Sequence, residues 1–511
     1  MSLSIPVSYH RASAPHHRLQ ARSERRRQLL QVQEKMQGDL IALGYFYAEL
    51  KVGTPPQTFS LIVDTGSSVT AIPCTGCRDC GPHTNPRFEP ESSLTFRQAP
   101  CGGSLYCTSC TRGVCGYRVS YQEGSSYSGF LARDVIRLGV RGACVAIESF
   151  PFGCSTEETG LFTSQQADGI MGLGTSRRHA EQSNPTVLEA LVERRLVEDV
   201  FSLCIGALRG TLTFGMPQLA TARSAGEHAA EGEPPSLFWT RVVESTYYGV
   251  EVTAIMLGEQ APRPAPPRPA PPRPSATAAP CTQALGPASL PSSSIVDSGT
   301  TFMYLHSAAF SPLLATMRAK RCPGLARVSA PKDEFCVRVS DSRLRLGRSE
   351  TLRGSNAGAL FDGCFDEVRV QLEGGSIRMA PSRYFYASED ADEFCLGIFD
   401  NYEDSLVIGA INMMDHEVIF DRVGRRIGFY PRECSISSSS ASSSASSALA
   451  AAAAAASASA HGLANLSASA VLGPDPCGDH AAPPPLLRLR LAAAHALHAR
   501  SPLVDLSLTL T

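Results

Sequence analysis

No run of about 18 consecutive apolar residues occurs in this chain, so no transmembrane helix is expected; the Ala/Ser tail over 435–470 is too weakly apolar and too rich in serine for one. An excess of positive charge is missing too. The 46 Lys and Arg against 48 Asp and Glu leave a net charge of −2, without the basic footprint of a nucleic-acid binder. Lysine is nearly absent, present only at Lys35, Lys51, Lys320 and Lys332, which together with the Ala, Pro and Ser tracts reads as codon bias. Residues 1–43 contain no apolar stretch of the length a signal peptide requires. They carry Arg11, Arg18, Arg22, Arg25, Arg26 and Arg27 around Glu24, and read as a leader or pro-segment.

Cysteine is abundant: 17 residues, seven of them between Cys74 and Cys115. That density points to disulfides and an oxidising compartment, the secretory pathway or an extracellular or vacuolar space, with a plastid as the alternative. Metal is the rival reading for Cys74, Cys77 and Cys80. A ferredoxin-type run needs its fourth cysteine where Thr84 stands, and a zinc site needs a second tight pair that does not follow. Neither a metal nor another cofactor is expected.

From Tyr45 to Cys434, short β-branched and aromatic runs separated by Gly, Pro and Ser predict a mostly β fold with few helices. The helix candidates are NPTVLEALVERRLV, with Pro185 at the first helical position, and SAAFSPLLATMRAK, with Pro312 near its start. APRPAPPRPAPPRPSATAAP, residues 261–280, suits only polyproline II or disorder and marks a loop insert over 261–292, with an SH3-type ligand role as the lesser reading. After Cys434 the low-complexity tail, 435–511, is expected to be disordered.

The strongest internal signal is a duplication. SLIVDTGSS brings an apolar strand to Asp64, and 108 residues later ADGIMGLG places an apolar pair before Gly172. SSIVDSGTT brings a second strand to Asp297, and 112 residues later SLVIGA places one before Gly409. Two lobes of one plan follow, over 44–220 and 221–434. GIMGLG does not fit a dinucleotide loop, lacking the glycine order and the βαβ context.

These paired motifs resemble the pepsin-like aspartic proteases over roughly 44–434. The resemblance implies a bilobal, mostly β fold with Asp64 and Asp297 as catalytic carboxylates. Gly66 and Gly299 would let backbone amides approach them, Ser67 and Thr300 would bond their outer oxygens, and Thr65 and Ser298 would tie the two loops together. Two carboxylates at short range cannot both ionise cheaply, so they share a proton and supply acid and base in one site; pepsin is the established example. YRVSYQEGSSYSGFL resembles the family's flap, a hairpin that closes on substrate, with Tyr121 as its tyrosine and Gly124 and Gly129 giving it the bend. The expected activity is endopeptidase action by a monomer on peptide or protein substrates, with no nucleic acid. A non-catalytic pepsin-fold inhibitor or binding protein is the alternative.

The cysteine-rich insert and the segments PCTGCRDCG, SYQEGS and EFCLGIF resemble the nepenthesin and plasmepsin V branch. Position by position, that resemblance implies seven disulfides among Cys74, Cys77, Cys80, Cys101, Cys107, Cys110, Cys115, Cys154, Cys204, Cys322, Cys336, Cys364, Cys395 and Cys434. Cys144, Cys281 and Cys477 are left over. It also assigns Glu123 and Gln165 to a subsite for a substrate arginine upstream of the cleaved bond. Gln122 stands where plasmepsin V has an unpaired flap cysteine, the Pro-rich insert is extra, and no C-terminal anchor is seen.

Overall fold

The computed structural model describes residues 30–39, 43–121, 124–139, 144–175, 183–219, 236–243, 247–258, 283–284, 291, 293–340, 352, 355–388 and 392–434. Glu123, the segment 261–280, the tail 435–511, and Cys281 and Cys477 lie outside the described residues.

The principal sheet has 15 strands and draws on both halves of the chain. At its centre the strand Gln57–Asp64 pairs in parallel with Gly169–Gly172, placing Asp64 opposite Gly172. The second half repeats this on a smaller scale: Ser293–Val296 pairs in parallel with Ser405–Ile408, with Val296 opposite Ile408. Parallel strands buried on both faces read as continuous apolar runs, which is why Leu61, Ile62, Val63, Val296 and Ile408 are almost fully buried. The glycine that closes each short partner strand has a steric cause. A Cβ on Gly172 would meet the Val69 amide nitrogen at 2.6 Å, and one on Gly409 would meet the Phe302 carbonyl oxygen at 2.0 Å. In each half the chain leaving the aspartate crosses directly over that glycine.

The sheet begins earlier than the sequence suggests. Val32–Asp39, assigned above to the leader, is a strand paired antiparallel with Arg209–Phe214 on one side and Tyr45–Val52 on the other. Cys204 at one end of the neighbouring strand is bonded to Cys434, and Val200–Ile205 pairs with His416–Asp421, so strands far apart in sequence form one continuous layer.

Both expected helices form, with altered starts. Val187–Glu193 is capped by Thr186, whose hydroxyl accepts from the Glu189 amide at 3.3 Å while the Glu189 carboxylate accepts from the Thr186 amide at 3.0 Å. This reciprocal cap fixes the helix start and leaves Pro185 before the cap rather than at the first helical position. Ser307–Ala319 carries Pro312 in its interior.

Seven disulfides pair the fourteen cysteines named above: Cys74–Cys154, Cys77–Cys80, Cys101–Cys110, Cys107–Cys115, Cys204–Cys434, Cys322–Cys364 and Cys336–Cys395. Cys144, set aside by sequence, is disulfide-bonded as well. Among the described residues no helix is long and apolar enough to cross a membrane.

Candidate active site

The two Asp-Thr/Ser-Gly loops meet where their strands end. Asp64 and Asp297 are both fully buried. The Ser298 amide donates to the Thr65 hydroxyl at 2.8 Å, and the Thr65 amide donates to the Ser298 hydroxyl at 3.1 Å. Each hydroxyl donates in turn across the pseudo-dyad, Ser298 to the Val63 carbonyl at 2.7 Å and Thr65 to the Val296 carbonyl at 3.3 Å. Each hydroxyl thus ties one loop to the other half's strand, and no buried amide at the crossing is left unpaired.

The two carboxyls are held differently. Asp64 Oδ1 accepts from the Gly66 amide at 2.8 Å, and the Ser67 hydroxyl and the Asp297 carboxyl are its side-chain neighbours. Asp297 accepts from the Gly299 amide at 3.0 Å and from the Thr300 hydroxyl at 2.7 Å, with the Thr65 hydroxyl 3.4 Å from Oδ1. Each carboxyl also faces the opposite loop's glycine. A Cβ on Gly66 would fall 2.9 Å from Asp297 Oδ1, and one on Gly299 would fall 2.4 Å from Asp64 Oδ1. Only glycine admits the approach at both positions.

Burial raises the pKa of both carboxyls; for Asp64 the neighbouring Asp297 charge adds to it and the Ser67 and Gly66 hydrogen bonds work against it, leaving it well above the ordinary carboxylate range. At Asp297 burial is opposed by the Thr300 and Gly299 hydrogen bonds, which favour the ionised form.

Val114–Ser120 and Ser126–Leu138 form a hairpin, and Tyr121 at its tip is near enough to feel the Asp64 charge. Its tip is closed by the Tyr121 amide donating to the Ser125 carbonyl at 2.9 Å, and by Gly124 at φ +93°. Tyr121 is buried against Tyr127 and Phe162, with ring centroids 5.9 Å and 5.2 Å away, and its hydroxyl donates to that of Tyr127 at 3.3 Å. Ser67 is buried between the Asp64 carboxyl and the Tyr121 hydroxyl, and its hydroxyl interacts with both.

Gln165 lies on the segment 164–168 just before Gly169–Gly172. The residues that hold this segment were missed in the sequence. The Tyr45 hydroxyl accepts from the Gln166 and Ala167 amides, both at 3.0 Å. Asp168, buried, accepts from the Ser60 amide at 2.6 Å and from the Asn85 amide and side chain, both at 2.7 Å. Its place inside ADGIMG was a usable signal, since an acidic residue opening a buried strand requires donors of its own. His83, within the cysteine-rich insert, bonds the same segment and had no such signal.

Comparison with known proteins agrees with this architecture. The family described as Xylanase inhibitor N-terminal matches residues 46–216 and that described as Xylanase inhibitor C-terminal matches 284–431, together well over half of the chain. Aspartic protease 5 of Toxoplasma gondii is 31% identical over 272 residues, covering 44% of this chain and 28% of that protein. Plasmepsin V of Plasmodium falciparum is 32% identical over 186 residues, covering 35% of this chain and 30% of that protein. Aspartic proteinase nepenthesin-1 of Nepenthes gracilis is 23% identical over 414 residues, covering 77% of this chain and 79% of that protein. The chain thus spans under a third of the two parasite relatives and over three quarters of the plant one. With both halves matched in order and a mostly β fold of duplicated plan beneath them, the chain belongs to the pepsin-like aspartic protease family, in the nepenthesin and plasmepsin V-like branch.

Proposed function

We propose that this protein is an aspartic endopeptidase in which Asp64 and Asp297 share one proton. The observation that carries the reading is the pair itself: two fully buried carboxyls bond each other, and Asp297 is further held by the Gly299 amide on one oxygen and the Thr300 hydroxyl on the other. Asp297 is then the base that takes a proton from the attacking water, and Asp64 the acid that gives its proton to the peptide carbonyl oxygen. The product is a neutral tetrahedral gem-diol. Its collapse breaks the C–N bond as Asp297 gives its proton to the departing amine and a gem-diol hydroxyl gives one to Asp64, so the pair again holds one proton. Cleavage of a peptide library by the purified protein, abolished by pepstatin, tests this; no cleavage in acid would refute it.

The seven disulfides support residence in an oxidising compartment of the secretory pathway or outside the cell. A non-catalytic inhibitor is the second reading, favoured only by the matched families' description as xylanase inhibitors. Retention of both aspartates, both motif glycines and the flap tyrosine weighs against it.

For specificity we infer a preference for arginine upstream of the cleaved bond, met by Glu123 and Gln165. A carboxylate beside an amide oxygen suits the multiple N–H donors of a guanidinium. Glu123→Ala is expected to cost roughly 1.5–3 kcal/mol of kcat/KM on arginine peptides, the range for a hydrogen bond to a charged group. Peptides with an apolar residue there should be unaffected. Equal losses on both peptides, or no arginine preference in the unmutated protein, would remove Glu123 from the subsite.

A further inference from the structure

His83 stands at a junction of three elements. Its Nε2 lies 2.9 Å from Glu158 Oε2, on the strand Val145–Thr159, and its Nδ1 lies 3.2 Å from the Gln165 carbonyl oxygen. The two paired side chains are only 4% and 5% exposed. A carbonyl oxygen only accepts hydrogen bonds, and an ionised carboxylate only accepts, so both ring nitrogens must donate. The neutral ring carries one N–H. Whichever tautomer forms, one lone pair then faces an oxygen.

The contacts on either side continue the same seam. The Thr84 amide and hydroxyl both donate to the Gln166 carbonyl, at 2.9 Å and 2.8 Å, and Asn85 donates twice to Asp168. Gly81 packs so closely on the turn Gly160–Thr163 that a Cβ would fall 2.2 Å from the Thr163 carbonyl oxygen. Arg87 braces the insert from behind, donating to the Cys77 carbonyl at 2.6 Å and the Cys80 carbonyl at 2.9 Å. Glu158 in turn pairs through its backbone with Tyr127, beside the tip of the hairpin and in contact with Tyr121.

We propose that His83, as an imidazolium held between Glu158 and the Gln165 carbonyl, is a positioning residue that sets the substrate subsite bordered by Gln165. The inference rests on the endopeptidase reading and adds a control to it. The charged groups facing the ring are the Glu158 carboxylate, from the strand, and Asp168, from the loop segment. Burial opposes the charge, but the hydrogen bond and charge of Glu158, with the Gln165 carbonyl and Asp168 behind them, hold the ring's pKa above its ordinary 6.5. A raised pKa in the folded protein means that the clamp is fully formed below the unfolded value. It is lost as pH rises through the folded one. Acid closes the subsite, and a pH above the folded value loosens it.

Two peptides differing only at the residue that meets the Gln165 loop provide the test, because the ratio of their kcat/KM values cancels any titration of the aspartate pair common to both. In the unmutated protein this ratio should be constant in acid and fall about tenfold as the pH rises through the His83 titration, the loss expected for a charge-assisted hydrogen bond. The change should appear in KM rather than kcat. His83→Gln should show the lower ratio at every pH. A flat ratio in the unmutated protein, or equal losses on both peptides in the variant, would overturn the proposal. Hydrogen exchange of the amides over 161–169 reads the clamp independently of cleavage: protection should fall in His83→Gln and with rising pH in the unmutated chain, and unchanged protection would overturn it. Should the unmutated protein cleave nothing, the endopeptidase reading falls with the specificity role, and exchange still decides whether the imidazolium holds the loop.

Discussion

Asp64→Ala and Asp297→Ala are each expected to fold and each to lose more than about a thousandfold in kcat, because neither remaining carboxyl is acid and base at once. The two losses should not add in the double variant, since either change removes the shared proton. Folding should survive for a physical reason: both carboxyls are buried at a cost, and the Asp297 charge adds to that cost at Asp64, so removing either one leaves a single buried carboxyl to accommodate. The two amide variants should differ. Asp64→Asn keeps an uncharged group where the protonated acid sits, so Asp297 should still ionise but without an acid beside it. Asp297→Asn removes the neighbouring charge that raises Asp64, so Asp64 should ionise at a lower pH than in the unmutated pair. Thermal unfolding and single-turnover cleavage of one peptide measure both properties on the same samples. Either alanine variant retaining a tenth of the parent rate would exclude the shared-proton mechanism.

How much of this was legible in the sequence depends on how far each feature reaches. The Asp-x-Gly loops and the apolar pairs before Gly172 and Gly409 are local patterns imposed by parallel strands buried on both faces, and they occur twice. The features missed are contacts between distant segments. His83 meets Glu158 and Gln165 across 75 and 82 residues, and nothing in CGPHTNP announces either partner. The strand Val32–Asp39 was missed for another reason. Its inward positions are Val32, Glu34, Met36 and Gly38, so a carboxylate and a glycine interrupt the alternation that would have marked a half-buried strand. Strand Arg209–Phe214 and strand Tyr45–Val52 supply the hydrogen bonds that VQEKMQGD could not have advertised by itself.

That inward glutamate makes stability depend on pH in a measurable direction. Glu34 is 6% exposed, and its side chain accepts from the Gly139 amide. Burial pushes its pKa up to about 7; the Gly139 bond and Lys51 work against the rise, and the Glu49 charge adds to it. A carboxyl whose folded pKa lies above its unfolded one binds its proton more tightly when folded, so stability falls as pH rises. The penalty is absent below the ordinary 4.5, grows between 4.5 and about 7, and is complete above that. With each pKa unit equivalent to about 1.4 kcal/mol, the complete penalty is about 3 kcal/mol. Glu417, also buried, and the Asp64–Asp297 pair are shifted in the same direction. Glu34→Gln keeps an acceptor for the Gly139 amide and removes the charge. It should therefore leave stability unchanged at pH 4 and raise it by about 3 kcal/mol at pH 8. Denaturant unfolding of both proteins at the two pH values measures the difference, and an equal shift at both would show that Glu34 is not the group whose ionisation weakens the fold.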